Sequence, residues 1–280
     1  MLRTPAHNRN FYPTLVVSLS VLILISALLI KPIIILCVKE QIKKAVGADR
    51  VFIRDCRLQS FHSIFFYDIQ IHRQNDFDIT VKEFSVGFDP WSMMVGGVLL
   101  IDKIRWGNLV IYKIKSIVRM DKQKVFFKPL SGQMLNGLID GDINVTIEKE
   151  PEYTARFNFK NLDLADFANA FNLNERAQIQ GLLNGSLVLN GRGKNFKILN
   201  GHFSSGRQGG NVIIKDTQSL KHFVTQSNQS AELLMESLKN YHYNVGDIEL
   251  SMDQGTVVLE IALNGETGKR NFQIRLHNFF

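Results

Sequence analysis

The 280-residue chain is poor in cysteine, having only Cys37 and Cys56. Two thiols cannot build a disulfide framework or a cysteine-based zinc site, so a domain of this length must hold itself together by burial. Catalytic patterns are lacking as well. The seven histidines, His7, His62, His72, His202, His222, His242 and His277, form no H-E-x-x-H couple or similar pair. Gly191-Arg192-Gly193-Lys194 and Gly268-Lys269-Arg270 combine glycine with basic residues, but neither has the glycine spacing and the Ser or Thr of a phosphate-binding loop. Both read as water-facing hairpin loops. Basic residues are spread along the chain, and the interleaving in Phe126-Phe127-Lys128 is too isolated to suggest a nucleic-acid partner. The sequence offers no ground for an enzyme, a metal site or a cofactor.

What the chain does have is an excess of positive charge and one long apolar run. Its 33 Lys and Arg outnumber 26 Asp and Glu, giving a net charge of +7 and favouring anionic partners. From Leu15 to Ile30 every residue is apolar except Ser18, Ser20 and Ser26, and after Lys31-Pro32 the run resumes from Ile33 to Val38. Sixteen helical residues rise about 24 Å and twenty-four about 36 Å, against a hydrocarbon core of about 30 Å. The reading is a tail over 1–13, a transmembrane anchor over 14–38 and one domain over 39–280. A cleaved signal peptide is the alternative, but the run is longer than a usual signal core and no A-x-A site follows it. Arg3 and Arg9 precede the run; Lys31, Lys39, Lys43, Lys44 and Arg50 follow it. That count alone would place the domain in the cytoplasm, although long domains cross membranes largely regardless of flanking charge.

Beyond the short amphipathic stretch from Glu40 to Val46, the apolar period becomes two. Phe84, Val86 and Phe88 alternate with Ser85 and Gly87; Ile143, Val145 and Ile147 with Asp142, Asn144 and Thr146. Ile248, Leu250 and Met252 alternate with Asp247, Glu249 and Ser251, and Val257, Leu259, Ile261 and Leu263 share one face. Phe272, Ile274 and Leu276 alternate with Asn271, Gln273 and Arg275. Such alternation predicts antiparallel strands with one hidden face. Asp140-Gly141, Asn184-Gly185, Asn190-Gly191, Asn200-Gly201, Gly209-Gly210 and Asn264-Gly265 read as tight turns between short hairpins. Two helices are predicted, a short one over Asp163 to Phe171 and a longer one over Leu220 to Tyr241. The second has Ser219 as its N-cap and a stripe of Leu220, Val224, Ala231, Leu234, Leu238 and Tyr241.

Several stretches together resemble the AsmA-like proteins of bacterial envelopes, in particular the YdbH and TamB branch. The opening carries an anchor, a Lys-rich stretch, Val51-Phe52-Ile53, Phe66-Tyr67-Asp68-Ile69-Gln70-Ile71, Val81 to Val86, Trp91, Val98 to Ile104 and Leu109-Val110-Ile111-Tyr112. The middle carries Leu162 to Phe167, then Ile179 to Gly191 with its G-x-x-x-G-x-x-x-x-x-G spacing, Leu199 to Phe203, and Gly209-Gly210 opening an apolar strand. Tyr241-His242-Tyr243, Gly255 and Gly265 are similar to the YdbH ending.

The resemblance implies a mainly β fold: a long curved antiparallel sheet, taco-like, whose apolar inner face carries phospholipid acyl chains, with one N-terminal transmembrane helix and two short-to-medium helices. The candidate groove residues are Phe84, Val86, Phe88, Ile143, Val145, Ile147, Phe157, Phe159, Leu187, Leu189, Val212 and Ile214, then Ile248, Leu250, Val257, Leu259, Ile261, Leu263, Phe272, Ile274 and Leu276. It further implies an inner-membrane protein with its domain in the periplasm, partnered by phospholipid and by other envelope proteins or copies of itself, without cofactor, metal or covalent chemistry. Two alternatives stay open. The same alternation suits a closed core between two sheets. A free strand edge near Phe279-Phe280 would suit an assembly factor for outer-membrane proteins.

Overall fold

The computed structural model describes residues 31–44, 47–60, 62–73, 77–89, 94–121, 123–148, 150–193, 195–215 and 236–276. The apolar run Leu15–Ile30 lies outside them, as do Trp91, the stretch from Leu220 to Met235 and Phe279-Phe280. No helix among the described residues is long and apolar enough to cross a membrane. Residues 31–44 form a helix, α1. The strands follow as β1 (Arg50–Ser60), β2 (Ser63–Arg73), β3 (Phe77–Asp89), β4 (Met94–Trp106), β5 (Leu109–Asp121), β6 (Lys124–Met134), β7 (Gly137–Thr146) and β8 (Glu152–Asp163). After α2 (Leu164–Ala170) come β9 (Ala177–Arg192), β10 (Asn195–Ile214), β11 (Tyr241–Tyr243), β12 (Val245–Asp253), β13 (Thr256–Gly265) and β14 (Gly268–Leu276).

All fourteen strands belong to one antiparallel sheet, ordered in space as in sequence, with the short β11 pairing β10 beside β12. Each strand therefore bonds to the ones made just before and just after it, except at β11, which pairs with β10 alone while β10 also pairs with β12. The sheet is open: β1 pairs with β2 alone and β14 with β13 alone among the described residues.

The strands are long and bent, and the bends have a sequence cause. Along several strands the apolar step lengthens once from two residues to three: Phe66 to Ile69, Ile111 to Ile114, Phe159 to Leu162. In each gap one residue takes a left-handed conformation, Asp68 at φ 52°, Lys113 at 51° and Asn161 at 55°. Across Asp68 the pairing with both neighbouring strands stays in step, whereas at Lys113 and Asn161 the register slips by one residue against the next strand. An extra residue of this kind bends a strand and adds twist while returning the next apolar side chain to the same face. Bulges of this sort curl the sheet.

Five of the six predicted turns are not turns. Asp140-Gly141 lies inside β7, Asn184-Gly185 and Asn190-Gly191 inside β9, and Asn200-Gly201 and Gly209-Gly210 inside β10. Only Asn264-Gly265 closes a hairpin, where Gly265 faces Gly268. The glycines serve close approach instead. A Cβ on Gly185 would lie 2.5 Å from the Phe203 ring and against the His202 carbonyl; one on Gly141 would strike the Arg156 carbonyl. Of the two basic loops, Gly193 does sit in the β9–β10 turn with φ 59°, whereas Gly268-Lys269-Arg270 opens β14.

α2 agrees with its prediction. The Asp163 carboxylate accepts a bond from the Ala165 amide at 2.7 Å, capping the helix. The longer predicted helix does not reach Tyr241, which begins β11 instead; Leu238 lies in the turn before it. Ile147 falls one residue past β7 and is exposed, because its amide turns to bond the Gln123 carbonyl at 2.6 Å.

α1 lies on the sheet rather than apart from it. It runs alongside β1, from Lys31, whose Nζ is 2.5 Å from the Asp55 carboxylate, to Lys43, whose carbonyl accepts from the Ala48 amide. Ile34, Ile35, Val38 and Ile42 pack on a cluster of Val51, Ile53, Cys56, Phe66, Ile69, Ile71 and Val81. Lys31 and then Arg57 hold the Asp55 carboxyl down at about 2. A depressed carboxylate stabilises above its ordinary range and is lost as pH falls through the lowered value, so this tie persists at neutral pH and fails only toward pH 2.

Two outcomes follow for the fold. Gly185→Ala should lower the unfolding free energy by about 1–3 kcal/mol by overpacking, while Gly206→Ala, where a Cβ meets nothing, should be close to neutral; urea denaturation compares them, and equal midpoints would refute the close-approach role. Cys56, buried beneath α1 with its thiol pushed up by burial, should resist maleimide, and Ile35→Asp with Val38→Asp should raise its labelling rate about tenfold or more. Equal rates at Cys37 and Cys56 in the unaltered protein would contradict the docking of α1.

Candidate apolar groove

Strand register turns the alternating residues into rows that cross the sheet. One row starts at Cys56 and continues through Phe66, Phe84, Leu99, Ser116, Leu130 and Gly141. It goes on through Phe157, Leu187, Gly201, Leu250, Leu259 and Ile274. It therefore touches every strand except the short β11 and meets no charged residue. At about 4.8 Å per strand spacing, its length is about 58 Å. A second row beside it runs through Ile53, Ile69, Val81, Ile101 and Ile114. Across the bulge in β5 it resumes at Gly132, Ile139, Phe159, Gly185, Phe203, Ile248, Ile261 and Phe272.

The opposite face is polar. The matching outward row holds Glu83, Lys115, Ser131, Asp140, Asn158, Ser186, His202, Glu249, Glu260 and Gln273, with Leu100 as its apolar member. Neighbours along it bond to one another, Asn158 donating to Asp140 at 3.1 Å and Gln273 to Glu260 at 3.4 Å. One face is thus satisfied by water and by its own pairs, and the other is not.

Among the described residues no second sheet covers the apolar face. Phe84, Leu99, Leu130, Phe157, Leu187, Leu250, Leu259 and Ile274 all stay half-buried. The largest fully buried side chains are Tyr241, Leu238 and Ser116, whereas a closed core between two sheets would bury many of the chain's phenylalanines and leucines.

Cover is local and comes from three places. α1 closes the β1–β4 end. α2 fences one rim near β7–β9: Leu164 packs with Ile139, Phe159, Leu162 and Leu183. It is tied there by Asn136, which donates to Asp166 at 2.5 Å, and the turn after it by Asn108, which donates to Asn172 at 3.1 Å. At the far end Leu238, Tyr241 and Tyr243 pack on Val212 and Leu263. There the Tyr243 hydroxyl, pushed up to about 12 by burial, donates to the Gln180 carbonyl at 3.0 Å.

The predicted residues distribute over this surface. Phe84, Phe157, Leu187, Leu250, Leu259 and Ile274 share the first row; Phe159, Ile248, Ile261 and Phe272 share the second. Ile143 and Leu189 flank Ala155 in a third row, and Val145 faces Val125 and Tyr153 nearer the rim. Val86 stands beside Ile64, and Phe88 beside Val95 at an exposed end of β3. Val257 faces Met252 and Leu276. Val212, Ile214 and Leu263 lie at the covered end, Val212 opposite Tyr241 and Ile214 opposite Ala177. Ile147 is outside the strands and off the rows. Sequence reasoning missed Ile69, Val81, Leu99, Ile101, Ile114, Leu130, Ile139 and Phe203. For Ile69, Val81, Ile114 and Leu130 the signal was a three-residue apolar step, which strict alternation passes over; Leu99, Ile101, Ile139 and Phe203 lie at ordinary two-residue steps.

Among the described residues no group of His, Cys, Asp and Glu could hold a metal ion. No curated protein and no solved structure matches the chain. Residues 143–275, which run from within β7 to within β14, match the family model described as YdbH-like, intermembrane phospholipid transport protein YdbH, in agreement with the resemblance to the YdbH and TamB branch.

Proposed function

We propose that this protein carries phospholipid, holding the acyl chains along the apolar rows while the head group stays in water at the rim. The observation that carries this reading is the uncharged row across thirteen strands, from Cys56 to Ile274, which is buried at Cys56, Phe66 and Ser116 and half-open at its larger side chains from Leu130 to Ile274. A surface of that kind exposed to water is unfavourable, and each CH₂ of a bound chain would relieve about 0.8 kcal/mol. Because the row is continuous, a chain sliding along it exchanges one apolar contact for the next and crosses no polar barrier. The family description for residues 143–275 names intermembrane phospholipid transport, which agrees with such a track. With residues 14–38 as a single membrane anchor whose last part, 31–38, opens α1, the domain would stand in the periplasm from the inner membrane and take part in lipid traffic of the envelope.

Charged substitutions in the open part of the track test this. Leu130→Asp and Leu250→Asp together should abolish uptake of a fluorescent phospholipid, and should remove phospholipid that co-purifies and is seen by mass spectrometry. Because both side chains are half-buried in an open face, the thermal transition should move by only a few degrees, about what 1 kcal/mol shifts in a domain of this size. Unfolding of the variant would point to a closed core; a stable variant that still binds lipid would overturn the carrier reading.

A further inference from the structure

The first edge of the sheet carries a second unusual surface. Ile33 and Leu36 stand out from α1 with 57% and 60% of their surface exposed, and Phe52 stands out from β1 with 56%. α1 lies along β1 on the inner face, whereas Phe52 alternates with the inward Val51 and Ile53 and so faces outward. All three are therefore at the level of the edge strand, on its two sides. Between residues 31 and 60 there are seven Lys and Arg against three Asp and Glu. Of those acids, Asp55 is already matched by Lys31 and Arg57. Lys43, Lys44 and Arg50 are exposed and make no ion pair among the described residues.

We infer that α1 and the outer side of β1 form a collar that seats the sheet's first edge against a bilayer containing anionic lipid. The inference rests on reading residues 14–38 as the membrane anchor, and it adds where the domain meets the membrane and by what chemistry. The apolar run continues into α1 as Ile33 to Val38, so the edge strand beside α1 must lie close to the bilayer surface if that run spans it. There, exposed Ile, Leu and Phe gain from contact with the acyl boundary, and unpaired Lys and Arg from anionic head groups. The strand then lies along the membrane plane and the apolar rows leave it upward from the end that α1 covers. An exposed apolar group on β10, Leu199, has no share in this collar.

The test uses the full chain reconstituted into phosphatidylcholine vesicles containing roughly one-third phosphatidylglycerol. A bimane label is placed at Phe52→Cys or, as control, at Leu199→Cys, with Cys37→Ser and Cys56→Ala removing the native thiols. Lipid bearing a nitroxide on its head group should quench the label at position 52 and not at 199. Quenching at 52 should fall at least threefold in the K43E/K44E/R50E variant, in vesicles of phosphatidylcholine alone, and at high salt. An unaltered thermal transition identifies the variant as folded. A label at 52 that is unquenched, or whose quenching ignores these charges, overturns the collar while the protein resists carbonate washing. Protein that washes off with carbonate overturns the anchor reading and this inference with it.

Discussion

Apart from the short β11, which β10 and β12 pass over, every strand of this sheet spends its hydrogen bonds on its sequence neighbours, and that constraint shapes the molecule. In a sandwich, connections cross from one sheet to the other, so that each apolar face meets a second one. A meander that never crosses has nothing to fold back over itself. Fourteen strands in one sheet then leave an inner face with no protein partner of its own size. α1, α2 and the Leu238–Tyr243 segment cover parts of it, and the middle rows stay half-open. The covers lie where side chains are most buried, and the half-exposed residues lie between them.

The same constraint explains what the sequence could show. Alternation is a local property, and a sheet built only from local pairings displays it strand after strand. Ile248, Leu250, Val257, Leu259, Ile261, Phe272 and Ile274 were legible as one face for this reason, and register places them in three adjoining rows. The helix capped by Asp163 was legible because a cap is likewise local.

What was not legible depends on curvature. Asn-Gly and Asp-Gly pairs are turn signals in flat hairpins, since glycine supplies positive φ. In a strongly curled sheet glycine is also needed where one strand presses on the next, as at Gly185 under Phe203, and the two uses look alike in sequence. The three-residue steps at Asp68, Lys113 and Asn161 broke the period and hid part of the floor. Both errors have one origin: bending appears in sequence as an interruption of strand signals, although the strand runs through it. Whether the alternating face was open or closed could not be read at all, because that depends on connections between strands and not on the strands themselves.

Neighbour-only pairing also makes the sheet additive. Each hairpin contributes its two strands, its share of the floor and its own outward polar pairs, and depends only on the hairpins beside it, much as units do in repeat proteins. Duplicating or deleting one hairpin in the middle would lengthen or shorten the sheet by about 10 Å, two strand spacings, and leave both ends as they are. Reach, in such an architecture, is a quantity that evolution or an engineer can adjust in whole hairpins without redesigning a core.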